Sequence, residues 1–237
     1  MIFTNDVALV AGGTGALGRA VALAFLAEGA HVIVTYRRKD EFDGLFSAAG
    51  NAAPRLDGHT ADVTDETATA NLAGEIVARH GRLDILVNAV GGYAGGKSLW
   101  EESGKTYEQM LSLNLRAGFM LARAVLPVMI RQNRGWVVNV ASRAGYGRSG
   151  GAAAYAASKA GALALFDSLA EEVKAYNIRV NSVVPSIFET PANRKAMPSA
   201  DFAKWPKPEE IARVILFLCS EDARVIHGAA IPVYGRT

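Results

Sequence analysis

Tyr155 and Lys159 fall four residues apart at the start of a helical pattern and so share one helix face. An ammonium beside a phenol favours the phenolate, and a phenol so placed can exchange a proton with a substrate oxygen. Any amphipathic helix can offer such a pair, so alone it carries little. Ser142 lies thirteen residues upstream, just past the strand pattern Val137–Val140. Open α/β sheets place ligands at that edge, where a hydroxyl can hydrogen-bond an oxygen gaining charge. A loop cap accounts for Ser142 by itself equally well.

A second group is Gly12-Gly13-Thr14-Gly15-Ala16-Leu17-Gly18, in which Gly13, Gly15 and Gly18 satisfy G-x-G-x-x-G. It follows the first strand pattern directly and opens the first helix. A tight turn, close backbone approach and a helix N-terminus facing an anion are what a dinucleotide pyrophosphate needs. The end of the second strand then separates two cofactors. An acid there bonds the ribose hydroxyl of NAD, whereas arginine accommodates the 2′-phosphate of NADP. The chain reads Thr35-Tyr36-Arg37-Arg38-Lys39, with no acid until Asp40. NADP(H) is therefore expected, with Arg37 as its contact and NAD(H) still open; the plain alternative is a solvated basic loop.

The elements that must position these groups alternate. Strand patterns run over Val7–Val10, His31–Thr35, Leu83–Val87, Trp136–Val140, Arg179–Val184 and Ala229–Val233. Helical patterns run over Arg19–Glu28, Glu66–His80, Thr106–Arg131, Ala152–Tyr176 and Pro208–Cys219. The strands lack polar alternation, as expected when helices cover both faces of a parallel sheet. No repeat or linker divides the chain. The expectation is one α/β Rossmann-type domain over residues 1–237, a doubly wound parallel sheet of about seven strands.

Lys+Arg 25 against Asp+Glu 23 leaves a net charge of +2, with no densely basic stretch to hold a nucleic acid. The lone Cys219 has no intrachain disulfide partner, and His31, His59, His80 and His227 show no metal-ligand spacing. The N-terminus lacks the basic start of a secretory signal, and strongly apolar runs such as Val214–Cys219 are far shorter than a bilayer span of ~20 residues. A cytoplasmic protein with no membrane, nucleic-acid or metal partner is expected.

Taken together, Ser142, Tyr155 and Lys159 resemble the catalytic signature of the short-chain dehydrogenase/reductase superfamily, and the similarity covers the whole chain. The resemblance implies that Gly12–Gly18 is the cofactor loop and that Asp62 and Val63 contact adenine. It puts Asn88 to Gly91 in the place of the Asn-Asn-Ala-Gly motif, and Asn114 in that of the asparagine holding a proton-relay water. Pro185, Phe188 and Thr190 fall in the segment that grips the nicotinamide amide, and Tyr155 and Lys159 also touch the cofactor. The implied activity is hydride transfer between NADP(H) and a small carbonyl or alcohol substrate, with Tyr155 as general acid/base and Ser142 bonding the substrate oxygen. The implied assembly is a homodimer or homotetramer.

Several positions depart from the family pattern: Ala11 for threonine, Ala16 for the middle loop glycine, Asn88-Ala89-Val90-Gly91, and Ser186 after Pro185. Three stretches resemble the dihydropteridine reductases: the glycine loop, Gly91–Leu99, and the Thr190–Trp205 part of a substrate lid expected over 186–208. Ser142 speaks against that branch, whose members keep the tyrosine and lysine but lack the serine. Arg37 does too, since the animal enzymes of the branch favour NADH. Tyr93, Arg143, Tyr146, Asn193 and Trp205 are candidate substrate contacts. Two alternatives stand beside a carbonyl reductase: reduction of a dihydropterin, and a non-catalytic NADP(H)-binding sensor.

Overall fold

Apolar β-branched runs bounded by turns build the sheet. A computed structural model describes residues 1–147 and 150–237. Its strands are β1 Val7–Ala11, β2 His31–Thr35, β3 Leu56–His59, β4 Ile85–Asn88, β5 Gly135–Val140, β6 Ile178–Pro185 and β7 Ala230–Val233. They form one sheet in the order β3-β2-β1-β4-β5-β6-β7, and every neighbouring pair is parallel. The order reverses between β1 and β4, which opens a crevice at the C-terminal ends of those strands.

The helices are α1 Ala16–Ala27, α2 Lys39–Ala49, α3 Glu66–His80, α4 Gly104–Leu111, α5 Ala117–Gln132, α6 Ala153–Glu172, α7 Pro191–Ala196 and α8 Pro208–Cys219. One apolar layer joins α1 and α8 to the sheet through Val21, Phe25, Ile211 and Ile215. The opposite layer joins α3, α5 and α6 through Leu72, Ile76, Leu121, Val125 and Phe166. Strands covered on both faces need no polar alternation, which is why their sequences read as unbroken apolar runs.

Three elements are missing from the sequence reading, one of them the short helix α7. β3 is Leu-Asp-Gly-His, an edge strand with a single apolar residue, and α2 is a charged helix with only Leu45 fully buried. The pattern over Thr106–Arg131 is one continuous helix, Gly104–Gln132, but five residues in its middle, Ser112–Arg116, form a π turn. By length and composition that helix could cross a membrane, yet half of its most apolar window is buried in the fold. Its small and polar residues interrupt any single apolar run.

Asp84 ties down the sheet end opposite the crevice. It is fully buried, accepts the Val7 N–H at 2.9 Å, and receives Arg82 at 2.7 Å and Arg134 at 3.0 Å. Arg134 also reaches Asp6 at 2.7 Å and lies over the Trp136 ring. Removing the carboxylate leaves a buried amide without an acceptor and two guanidiniums short of one. Asp84→Ala is expected to cost about 2–3 kcal/mol, since both arginines keep part of their solvation. Urea unfolding should show a lower midpoint at an unchanged slope; an unchanged midpoint would contradict the assignment.

Candidate active site

The glycine loop leaves β1 and enters α1 in a close turn. A Cβ on Gly18 would stand 2.1 Å from the Gly12 carbonyl oxygen, so only glycine lets helix and loop approach this closely. No side chain caps the start of α1, whose first-turn amides remain open to an anion. Ala16 is the exposed first residue of that helix. Leu17 buries its side chain in the core and offers the loop only its backbone. The end of β2 holds the loop in place: Thr35 Oγ1 accepts the Gly12 N–H at 2.9 Å and Thr35 O accepts that of Gly13.

Beside this turn lies a cleft of about 740 Å³, lined by Gly12, Thr14, Gly15, Arg37, Asp62, Val63 and Gly91, among others. Its volume suits a dinucleotide-sized ligand. The glycine turn, the uncapped helix start and Arg37 on the wall fit a nicotinamide dinucleotide. Asp62 accepts the backbone and side-chain donors of Thr64, the side-chain bond being the larger cause that holds its carboxyl below the usual range. Asn88 does not reach the cleft: its Nδ2 donates to Asn139 Oδ1 at 3.0 Å inside the sheet, and Ala89, Val90 and Gly91 form the wall instead.

At the ends of β5 and α6 the second group assembles. Ser142 is buried two residues after β5, where its Oγ accepts the Ala144 N–H at 3.2 Å and caps a short turn. Tyr155 stands in the first turn of α6 and Lys159 one turn further on. Lys159 is only 6% exposed and donates to the Val140 carbonyl at 2.9 Å. Burial lowers its pKa to about 8. For Tyr155 burial acts first and raises the phenol pKa, while a hydrogen bond with Ser142 opposes it. In the protein alone desolvation outweighs the hydrogen bond with Ser142, so the phenol stays above its ordinary value.

Asn114 sits in the π turn, 1% exposed. Its Oδ1 accepts the Gly92 N–H at 2.9 Å, and its Nδ2 donates to Gly92 O at 3.1 Å and Ser158 Oγ at 3.0 Å. The Ser158 hydroxyl in turn donates to Tyr155 O at 2.7 Å. The side-chain amide therefore fastens the loop after β4 to the helix that carries the phenol. A Cβ on Gly91 would stand 2.9 Å from Asn114 Oδ1 and 3.2 Å from Lys159 Nζ, so the cleft wall, amide and ammonium meet there.

The remaining expected residues divide. Tyr93 is 69% exposed, with its ring edge-on to Tyr155 at 5.0 Å, and Tyr146 is exposed beyond Ser142. Arg143 instead turns to the chain end, over the Tyr234 ring and toward Thr237 O. Asn193 and Trp205 are built into the segment after β6: Asn193 Nδ2 donates to Phe188 O at 2.8 Å, and Trp205 is buried against Phe202. Thr190 caps α7 by accepting the Asn193 N–H, Phe188 packs on the core, and Pro185 ends β6. None of these three lines the 740 Å³ cleft. Glu41 does line it, and the sequence reading missed it because α2 went unread.

The family model described as short chain dehydrogenase matches residues 6–201. The 3-oxoacyl-[acyl-carrier-protein] reductase FabG of Thermotoga maritima is 33% identical, over 99% of this chain and 98% of its own. A solved short-chain type dehydrogenase/reductase from Mycobacterium ulcerans superposes with a TM-score of 0.93 at 25% identity, covering 100% of this chain and 90% of that one. NAD+-bound xylitol dehydrogenase superposes with a TM-score of 0.92 at 25% identity, covering 99% and 100%. The family match over most of the chain and the likeness of the whole fold agree: the chain belongs to the short-chain dehydrogenase/reductase family.

Proposed function

We propose that the protein is an NADP(H)-dependent oxidoreductase that interconverts a small carbonyl compound and its alcohol, with Tyr155 as general acid/base. The observation that carries this reading is the meeting of Ser142, Tyr155 and a buried Lys159 at the ends of β5 and α6, where Lys159 lies against Gly91 of the cleft wall. When bound, the nicotinamide supplies or accepts the hydride. The open amides at the start of α1 would hold its pyrophosphate, and Arg37 the 2′-phosphate.

The chain's own groups handle the oxygen and its proton. The Tyr155 phenol donates a proton to the carbonyl oxygen in reduction and recovers one from the alcohol in the reverse direction. The Ser142 hydroxyl donates a hydrogen bond to the same oxygen and stabilises the charge that develops on it. Lys159, held by Val140 O, supplies a nearby positive charge that favours phenolate over phenol. Asn114 keeps Gly92 and α6 in register and acts as a positioning residue.

Tyr93 and Tyr146 give the mouth an aromatic rim, which supports an uncharged, partly apolar substrate. Arg143, engaged with Tyr234, does not serve as an anion receptor in this reading. An apolar hollow of about 410 Å³ between α4, α5 and α6, lined by Leu111, Leu115, Phe119, Met120 and Leu165, supports pairing of two copies along these helices.

Tyr155→Phe is expected to lower turnover about 10²–10⁴-fold with cofactor affinity kept. A surviving rate would overturn the proton assignment, and binding without any wild-type turnover across ketone, 3-oxoacyl thioester and dihydropterin panels would favour a sensor. A second outcome concerns stability. The folded state disfavours the Lys159 proton, so between pH 8 and 10.5 the unfolded chain binds more protons and stability rises with pH. The rise attributable to this group is about 3 kcal/mol. Urea titrations of wild type and Lys159→Met across that window should differ by this increment; parallel curves would refute a buried, pKa-shifted ammonium.

A further inference from the structure

The basic run after β2 is largely neutralised by α2. Arg38 pairs with Asp40 and, at 3.7 Å, with Glu41, and Lys39 pairs with Asp43. Among the described residues, Arg37 is the cation of this run without a carboxylate at ion-pair distance, and it lines the cleft. Glu41 lines the same cleft from the first turn of α2. Its Oε2 accepts the hydroxyl of Thr14, a glycine-loop residue, at 3.1 Å. A guanidinium and a carboxylate thus share the wall beside the loop.

These two charges prefer different ligands. A ribose with free hydroxyls donates hydrogen bonds, which a carboxylate accepts and a guanidinium does not. A 2′-phosphate brings nearly two negative charges, which Arg37 attracts and Glu41 repels. We propose that Glu41, steadied by Thr14, is a specificity-determining residue that narrows the preference for NADP(H) set by Arg37 and keeps NAD(H) usable. This rests on the nicotinamide-dinucleotide reading of the cleft. The carboxylate is solvent-exposed, so its repulsion is partial and weakens with salt.

The test is equilibrium binding, without turnover. Dissociation constants for NADPH, NADH, 2′,5′-ADP and 5′-AMP would be measured for wild type, Glu41→Gln and Arg37→Gln at low and high salt. Glutamine keeps an acceptor for Thr14, so the first variant isolates the charge. The expected result for Glu41→Gln is about tenfold tighter binding of NADPH and 2′,5′-ADP relative to NADH and 5′-AMP, shrinking at high salt. Arg37→Gln should move the ratio the other way. A Glu41→Gln ratio equal to wild type, or a gain shared by all four ligands, would overturn the role of Glu41. Wild-type protein that binds none of the four would instead overturn the cofactor reading beneath it.

Discussion

Keeping one ammonium nearly dry is the constraint around which the site is built. Lys159 has the Val140 carbonyl as its hydrogen-bond acceptor, and that carbonyl is free because β5 ends there. The chain must leave β5, turn at Ser142 and return in α6 so that the lysine falls under the strand end it points at. A Cβ on Gly91 would crowd Asn114 Oδ1 and Lys159 Nζ, which lie 2.9 Å and 3.2 Å from where it would stand. The π turn adds a residue to the α4–α5 helix where Asn114 reaches both Gly92 and Ser158. A buried charge with few partners is costly, and its retention in so crowded a corner is the physical sign of chemistry rather than packing.

The parallel topology explains why the two chemical groups meet at all. β1, β4, β5 and β6 all end on the same side of the sheet, so the glycine loop, Gly91, Ser142 and the segment after β6 emerge together although they lie far apart in sequence. The opposite side carries the Asp6, Asp84, Arg82 and Arg134 cluster, which fastens strand starts. Stability is concentrated at one end of the sheet and reactivity at the other.

Much of this was legible in the sequence because strands covered on both faces announce themselves as apolar runs and because Ser142, Tyr155 and Lys159 keep their spacing. What was not legible has physical causes. β3 is a short edge strand held by backbone pairing, so its side chains carry little signal. α2 is mostly solvated, and without it Arg37, Arg38 and Lys39 read as one basic patch; their compensation by Asp40, Glu41 and Asp43 depends on helical spacing. The π turn leaves no periodic trace. Asn88, Asn193 and Trp205 have residue types that suit ligand contacts, but only three-dimensional placement shows that Asn88 Nδ2 donates to Asn139, Asn193 Nδ2 donates to Phe188 O, and the Trp205 ring packs on Phe202, while Asn88 Oδ1 has no partner among the described residues.

Burial holds the Tyr155 phenol protonated in the protein alone, and in the proposed mechanism a cofactor's positive charge, acting with Lys159 and Ser142, frees its proton. Ultraviolet difference titration of wild type against Tyr155→Phe, with and without oxidised NADP, measures this phenol directly. The account predicts a pKa above the ordinary tyrosine value in the free protein, falling well below it when the oxidised cofactor binds. A phenol that titrates at the same pH in both states would contradict it.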